Sequence, residues 1–178
     1  NANLAEPKAL VSLAGIAELA GISVAPGGGF RIGAMTRHRD TAAATQLTGP
    51  LCVVSRAAGQ IANPPVRNMG TMGGSIAFAD PAADYPPALV AAGAEIEIAG
   101  VAGRRRIAAE SFFVDWYATA LEPGELVTAI YLPPPRPGVG VYRKFARVSG
   151  DFAIASVALA VTRHGAGVSV RIAIGGCG

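Results

Sequence analysis

The sequence predicts an α+β fold. Three observations carry that expectation. Apolar and polar residues alternate in several short runs, as they do in half-buried strands. Alanine-rich segments of high helix propensity lie between those runs. No stretch supplies the ~18 consecutive apolar residues of a membrane span; the longest, Phe152 to Val161, is about half that and is bounded by Asp151 and Arg163. The chain has 178 residues, 51% of them hydrophobic, and a mean hydropathy of +0.40. A buried sheet accounts for that apolar content, and the length suits one domain or two small lobes.

Residues 1 to 23 read as an entry segment, with Ala9 to Leu13 as a short buried strand and Ile16 to Leu19 as a helical turn ending at Gly21. Pro26 to Gly29 makes a turn, and Phe30 to Thr36 alternates as the strand leaving it. Asp40 is placed to cap a helix over Thr41 to Leu47, and Leu51 to Gly59 reads as a second helix. Ile61 to Asp84 shows almost no periodicity and is rich in Gly, Pro, Asn and Asp. A run of that length without regular structure is unusual inside a compact domain and tends to be functional. Pro86 to Ala92 reads as a helix with proline in its first turn. Ala94 to Ile98 and Arg104 to Ile107 form a hairpin, Phe112 to Tyr117 gathers four of the eleven aromatics into a core cluster, and Glu125 to Leu132 is a strand closed by Pro133 to Pro135. Beyond the linker at Pro137-Gly138, three strands are expected over Val139 to Phe145, Ile154 to Val161 and Val168 to Ile174.

Charge and cysteine content narrow the function. Fifteen Lys and Arg against 12 Asp and Glu leave a net charge of +3, too small and too scattered for a nucleic-acid surface. The basic run Arg104-Arg105-Arg106 sits at the hairpin tip. Cys52 and Cys177 with His38 and His164 offer no metal-ligand spacing, and His38 is expected on the surface. Cysteine usage and the lack of a signal region fit a cytoplasmic compartment. Asn1 and Gly178 read as cut ends of a longer polypeptide.

The segment that bears chemistry is Asn68-Met69-Gly70-Thr71-Met72-Gly73-Gly74-Ser75. Adjacent glycines let a chain approach a bulky anion, and successive N–H donors facing one concavity make an anion nest, to which Thr71 and Ser75 add hydroxyls. The spacing is neither G-x-G-x-x-G nor a Walker loop. Ala77 to Asp84 follows, with Asp80 and Asp84 four residues apart in an otherwise apolar segment. Asp80 either stabilises the turn at Pro81 or serves a ligand. Asp84 either caps the next helix or accepts from ribose or adenine. Lys144 lies in an alternating strand, on a solvated face or toward a ligand.

Val66 to Ser75 together with Asp80-Pro81-Ala82-Ala83-Asp84 resembles the FAD-binding medium subunit of molybdenum hydroxylases, the family of carbon monoxide dehydrogenase, xanthine dehydrogenase and related aldehyde or N-heterocycle hydroxylases. The similarity continues through Arg31 to Thr36, Tyr142 to Arg147, Asp151 to Ala153 and Val170 to Ala173. It implies an FAD domain of the vanillyl-alcohol-oxidase (PCMH) type over residues 1–135, its first lobe largely missing, and the start of a small α+β C-terminal lobe over 136–178. It also implies that Thr71, Met72, Gly73, Gly74 and Ser75 form the second of two Gly-Gly loops on the FAD diphosphate, the first being absent here. Asp84 would contact the adenosine side and Lys144 the flavin region. Ile61 and Leu126 or Val127 would add apolar contacts. Ser75 stands where the family usually has Asn.

The resemblance further implies an electron-transfer subunit of an oxidoreductase in which no residue acts as general acid or base. A large subunit would carry the molybdopterin cofactor and a small one the 2Fe-2S clusters, in a dimer of heterotrimers. Electrons would pass from the iron–sulfur subunit through FAD to quinone, NAD or oxygen. Two other functions stay open on the residues alone: a non-redox nucleotide-phosphate module, and a fragment without independent activity.

Overall fold

The structure, a computed structural model, describes residues 8–176. Cys177 and the first seven residues of the entry segment lie outside it. The elements in chain order are β1 (Ile22–Val24), β2 (Phe30–Gly33), α1 (His38–Ala42), α2 (Cys52–Gln60), α3 (Pro64–Met69), α4 (Met72–Phe78), α5 (Tyr85–Ala92), β3 (Glu95–Gly100), β4 (Gly103–Ala108), α6 (Ala109–Phe112), β5 (Phe113–Asp115), β6 (Ala118–Thr119), β7 (Leu126–Leu132), β8 (Gly138–Phe145), β9 (Ala155–His164) and β10 (Gly167–Gly175). The α+β class holds.

Five strands form one antiparallel sheet in the order β1-β2-β7-β3-β4, and β10-β9-β8 form a second. The register of the first sheet runs from Phe30 opposite Leu132 to Gly33 opposite Ala129, then from Ile96 opposite Ile130 across a bulge to Ile98 opposite Val127. These pairings turn Ile32, Ile96, Ile98 and Ile130 to one side, where all four are fully buried. Burying such a side chain stabilises by roughly 1.5–3 kcal/mol.

From the second sheet, Tyr142, Ala158 and Ala160 face the same core. Helices α2, α4 and α5 join the inner faces of both sheets into that single core. Helix α5 is apolar nearly all round, with Tyr85, Pro87, Ala88, Leu89, Ala91 and Ala92 buried, as a helix enclosed on several sides must be. The outer face of the second sheet leaves Val168, Val170, Ile172 and Ile174 exposed, a contiguous apolar surface of the kind that marks a contact region. No helix among the described residues is long and apolar enough to cross a membrane.

Several elements differ from the sequence expectation. Ala9 to Leu13 is not a strand, and Leu10 and Val11 are exposed. A strand needs a ladder partner, and this segment pairs with no strand of either sheet. Helix α1 starts at His38 rather than Thr41, and Arg37, not Asp40, occupies its N-cap. Its first amide donates to the Gly70 carbonyl (3.1 Å), a tertiary contact that fixes where the helix begins. Ile61 to Asp84 is not irregular, for it contains α3 and α4. Asn63 caps the first by accepting from Val66 N–H, with prolines at its opening positions, and Thr71 caps the second. The aromatic cluster splits: Phe112 is fully buried, whereas Trp116 and Tyr117 are exposed.

Candidate functional site

Helix α4 opens at the twin glycines. Thr71 is its N-cap and Gly74 N–H donates to Thr71 Oγ1 (3.2 Å). Met72 N–H donates to the Thr36 carbonyl (3.0 Å), Gly73 N–H to the Ala34 carbonyl (2.8 Å) and Ser75 N–H to the Thr71 carbonyl (3.1 Å). The nest of free amides is therefore not formed, because the loop folds into a capped helical turn pinned to the end of β2. The three glycines divide by role. A Cβ on Gly73 would lie 2.5 Å from the Ala34 Cβ, and one on Gly70 2.5 Å from His38 Nε2. Both glycines permit close packing. Gly74 alone is exposed, and a Cβ there would approach only Thr71 Oγ1, at 3.1 Å.

Beside this turn lies a cleft of about 200 Å³ whose lining includes His38, Ile61, Ser75, Asp84, Lys144 and Phe152. It shares Ala62, Lys144 and Gly150 with a neighbouring groove of about 480 Å³ that extends past Asn63 and Arg67. The structure thus brings Ile61, Ser75, Asp84 and Lys144 to one cleft, with Thr71 to Gly74 leading directly into Ser75. Leu126 does not line it. That residue opens β7 opposite Ala99 and is half-exposed, two positions before Thr128, whose carbonyl accepts from Ala34 N–H.

The floor of the cleft is an interlocked polar cluster. Asp84 and Lys144 form an ion pair at 3.0 Å, with side chains only 5% and 4% exposed. Tyr142 hydroxyl donates to Asp84 Oδ1 at 2.6 Å, and Lys144 Nζ also donates to the Gln60 carbonyl at 3.1 Å. Asp84 stands at the α5 N-cap position but caps nothing with its side chain. Lys144 is not on a solvated face, because the strand alternation turns it inward with Tyr142. Removing either charge would strand the other in a poorly solvated space, which is why both are held by several hydrogen bonds. Burial, and then the bond to Asp84, push the Tyr142 hydroxyl far above its ordinary pKa, so it stays a donor.

Asp80 does stabilise the turn. Its carboxylate accepts from Ala82 N–H at 2.8 Å and from the Tyr117 hydroxyl at 3.3 Å. His38 is not on the surface; it is buried, with Nδ1 3.1 Å from the Tyr85 hydroxyl. Burial, with the Arg67 charge second, lowers its pKa from 6.5 to about 4. Sequence reasoning missed Tyr142, Tyr85 and the buried setting of His38. The period of β8 carried a signal for Tyr142, since it lies two residues from Lys144 on the same face. No local signal marked His38, whose burial comes from α3 and α5 folding over it.

A family model described as "FAD binding domain in molybdopterin dehydrogenase" matches residues 1–135. The carbon monoxide dehydrogenase medium chain of Afipia carboxidovorans is 40% identical over 97% of this chain and 59% of its own length. The nicotine 6-hydroxylase medium subunit of Paenarthrobacter nicotinovorans is 36% identical over 97% of this chain and 61% of its own. Among solved structures, reconstituted CO dehydrogenase from Oligotropha carboxidovorans superposes with a TM-score of 0.87 at 38% identity, covering 97% of this chain and 61% of that one. The chain spans about three-fifths of the length of these relatives. With a family model covering its first 135 residues and the same fold in these relatives, the chain belongs to the FAD-binding domain family of molybdopterin dehydrogenases.

Proposed function

We propose that this chain is the FAD-binding part of the medium subunit of a molybdenum hydroxylase, passing electrons from an iron–sulfur subunit to an external acceptor. One observation carries the reading: the exposed backbone at Gly74 opens beside a cleft where Ile61, Ser75, Asp84 and Lys144 converge. The residues fit a dinucleotide in a particular way. Since the amides of residues 72–75 are engaged internally, the chain contributes close backbone approach at Gly74 and the Ser75 hydroxyl at the diphosphate, with Thr71, Met72 and Gly73 holding that turn in place. Asp84 keeps lone pairs for a ribose or adenine donor beyond its bonds to Tyr142 and Lys144. Ile61 supplies an apolar wall. The bound flavin supplies the redox chemistry, while the chain binds and orients it.

In this reading residues 1–135 are the cofactor-binding unit and 136–178 belong to a C-terminal lobe; the family match over 1–135 supports the division. The partners are a 2Fe-2S subunit and a molybdopterin subunit, in a cytoplasmic dimer of heterotrimers. The relatives' description as a medium chain and a medium subunit supports the presence of partner subunits.

Flavin content tests the proposal. The full-length polypeptide is expected to purify yellow or to take up added FAD, read from its visible absorbance. Gly74→Val is expected to lose the flavin while melting with the flavin-free wild-type protein, because the new side chain occupies the line of approach without disturbing the fold. A colourless wild-type protein that takes up no FAD sinks the reading; one that binds ADP instead points to a nucleotide-phosphate module.

A further inference from the structure

One group of the cleft has no part in the reading above. His38 is 5% exposed, yet it lines the cleft. Its Nδ1 is committed to the hydroxyl of Tyr85, a residue with no exposed surface. Its Nε2 has no hydrogen-bond partner among the described residues and is not among the fully enclosed polar atoms. Gly70 makes the room, since a Cβ there would lie 2.5 Å from Nε2 and 2.8 Å from Cδ2. With Nδ1 committed to Tyr85, Nε2 is the ring nitrogen left to bond an occupant of the cleft.

We infer that His38 is a ligand contact of this cleft, with Nε2 hydrogen-bonding a polar edge of the bound dinucleotide. The inference rests on the FAD reading and adds a residue to it. Three features of the chain favour a contact over simple packing. Ser75 and Asp84 line the same cleft, so the ligand surface there is read by polar groups. The bond to Tyr85 and the edge of Gly70 fix the ring's orientation, so no side-chain freedom remains to be lost on binding. With its pKa at about 4, the imidazole is neutral near pH 7 and presents one nitrogen to the cleft, as donor or acceptor according to the tautomer Tyr85 selects.

The test uses full-length polypeptide carrying ¹⁵N-labelled histidine, with the His38 signals assigned from the spectrum of His38→Gln. Saturating FAD is expected to shift the Nε2 resonance of His38. His38→Phe is expected to weaken FAD binding about ten-fold, while His38→Gln, which keeps a polar atom in reach, retains most of the affinity. An unmoved resonance with FAD bound overturns the inference, and so does a folded His38→Phe protein with wild-type affinity. A wild-type protein that takes up no FAD overturns the cofactor reading itself, a result separable from the other two.

Discussion

The first turn of α4 and the floor of the cleft meet at one ligand-sized space and are built on opposite principles. At α4 the determining feature is what the side chains lack. Gly70 and Gly73 bring backbone and ring against backbone, and Gly74 leaves the surface open. At the floor the determining feature is what the side chains carry. Two opposite charges and a phenol are enclosed together, and each is held by the others. The first arrangement stabilises by close packing and is intolerant of added volume. The second is intolerant of lost charge. Neither kind of residue is interchangeable with its neighbour, although both would be counted alike as residues of one site.

Three substitutions or conditions sharpen that contrast. The largest effect is expected from Asp84→Ala, which leaves the Lys144 ammonium and Tyr142 hydroxyl without their acceptor. The loss is about 3–5 kcal/mol of folding stability, measured by urea unfolding. A loss under about 1 kcal/mol would mean that the cluster is far better solvated than its burial indicates.

A pH titration gives the next effect. The folded pKa of His38, about 4, lies below its ordinary 6.5, so between those values the unfolded chain binds more protons. The stability that the neutral ring contributes is complete above about pH 6.5 and is lost as pH falls toward 4, on the order of 2–3 kcal/mol. His38→Gln should flatten this part of the pH–stability curve, and an unaltered curve would remove His38 as its origin.

The smallest effect separates the adjacent glycines. Gly73→Ala forces a methyl against Ala34 and is expected to cost about 1–3 kcal/mol. Gly74→Ala changes stability by less than about 1 kcal/mol, because improved helix propensity offsets the tight approach to Thr71 Oγ1. Equal melting temperatures for the two variants would erase the distinction between a packing glycine and an exposed one.

Much of this was legible in the chain. Alternation at Ala94 to Ile98 and in the three late strands predicted β3, β8, β9 and β10, because period-two patterning survives any tertiary context that buries one face. The motif from Thr71 to Ser75 pointed to the proposed site. Its internal geometry was not legible, since a Gly-Gly pair serves an open nest and a close-packed helical turn equally well. Which of the two forms depends on whether the Ala34 and Thr36 carbonyls, far back in sequence, are present to take the amides. Helices α3 and α4 were hidden for a related reason. Six- and seven-residue helices holding proline and glycine have little intrinsic propensity and exist through caps and tertiary support.

The sequence by itself determined the α+β class, the strands that alternate and the family, and it pointed to the segment proposed for the cofactor. All of these depend on residue type at short spacing. The tertiary structure alone decided that Asp84 meets Lys144 and Tyr142, that His38 is buried against Tyr85 at the edge of the cleft, and that Leu126 stands apart from it. Those pairings join residues from 47 to 60 positions apart. Separations of that size are closed only by the packing of whole elements, which no local pattern encodes.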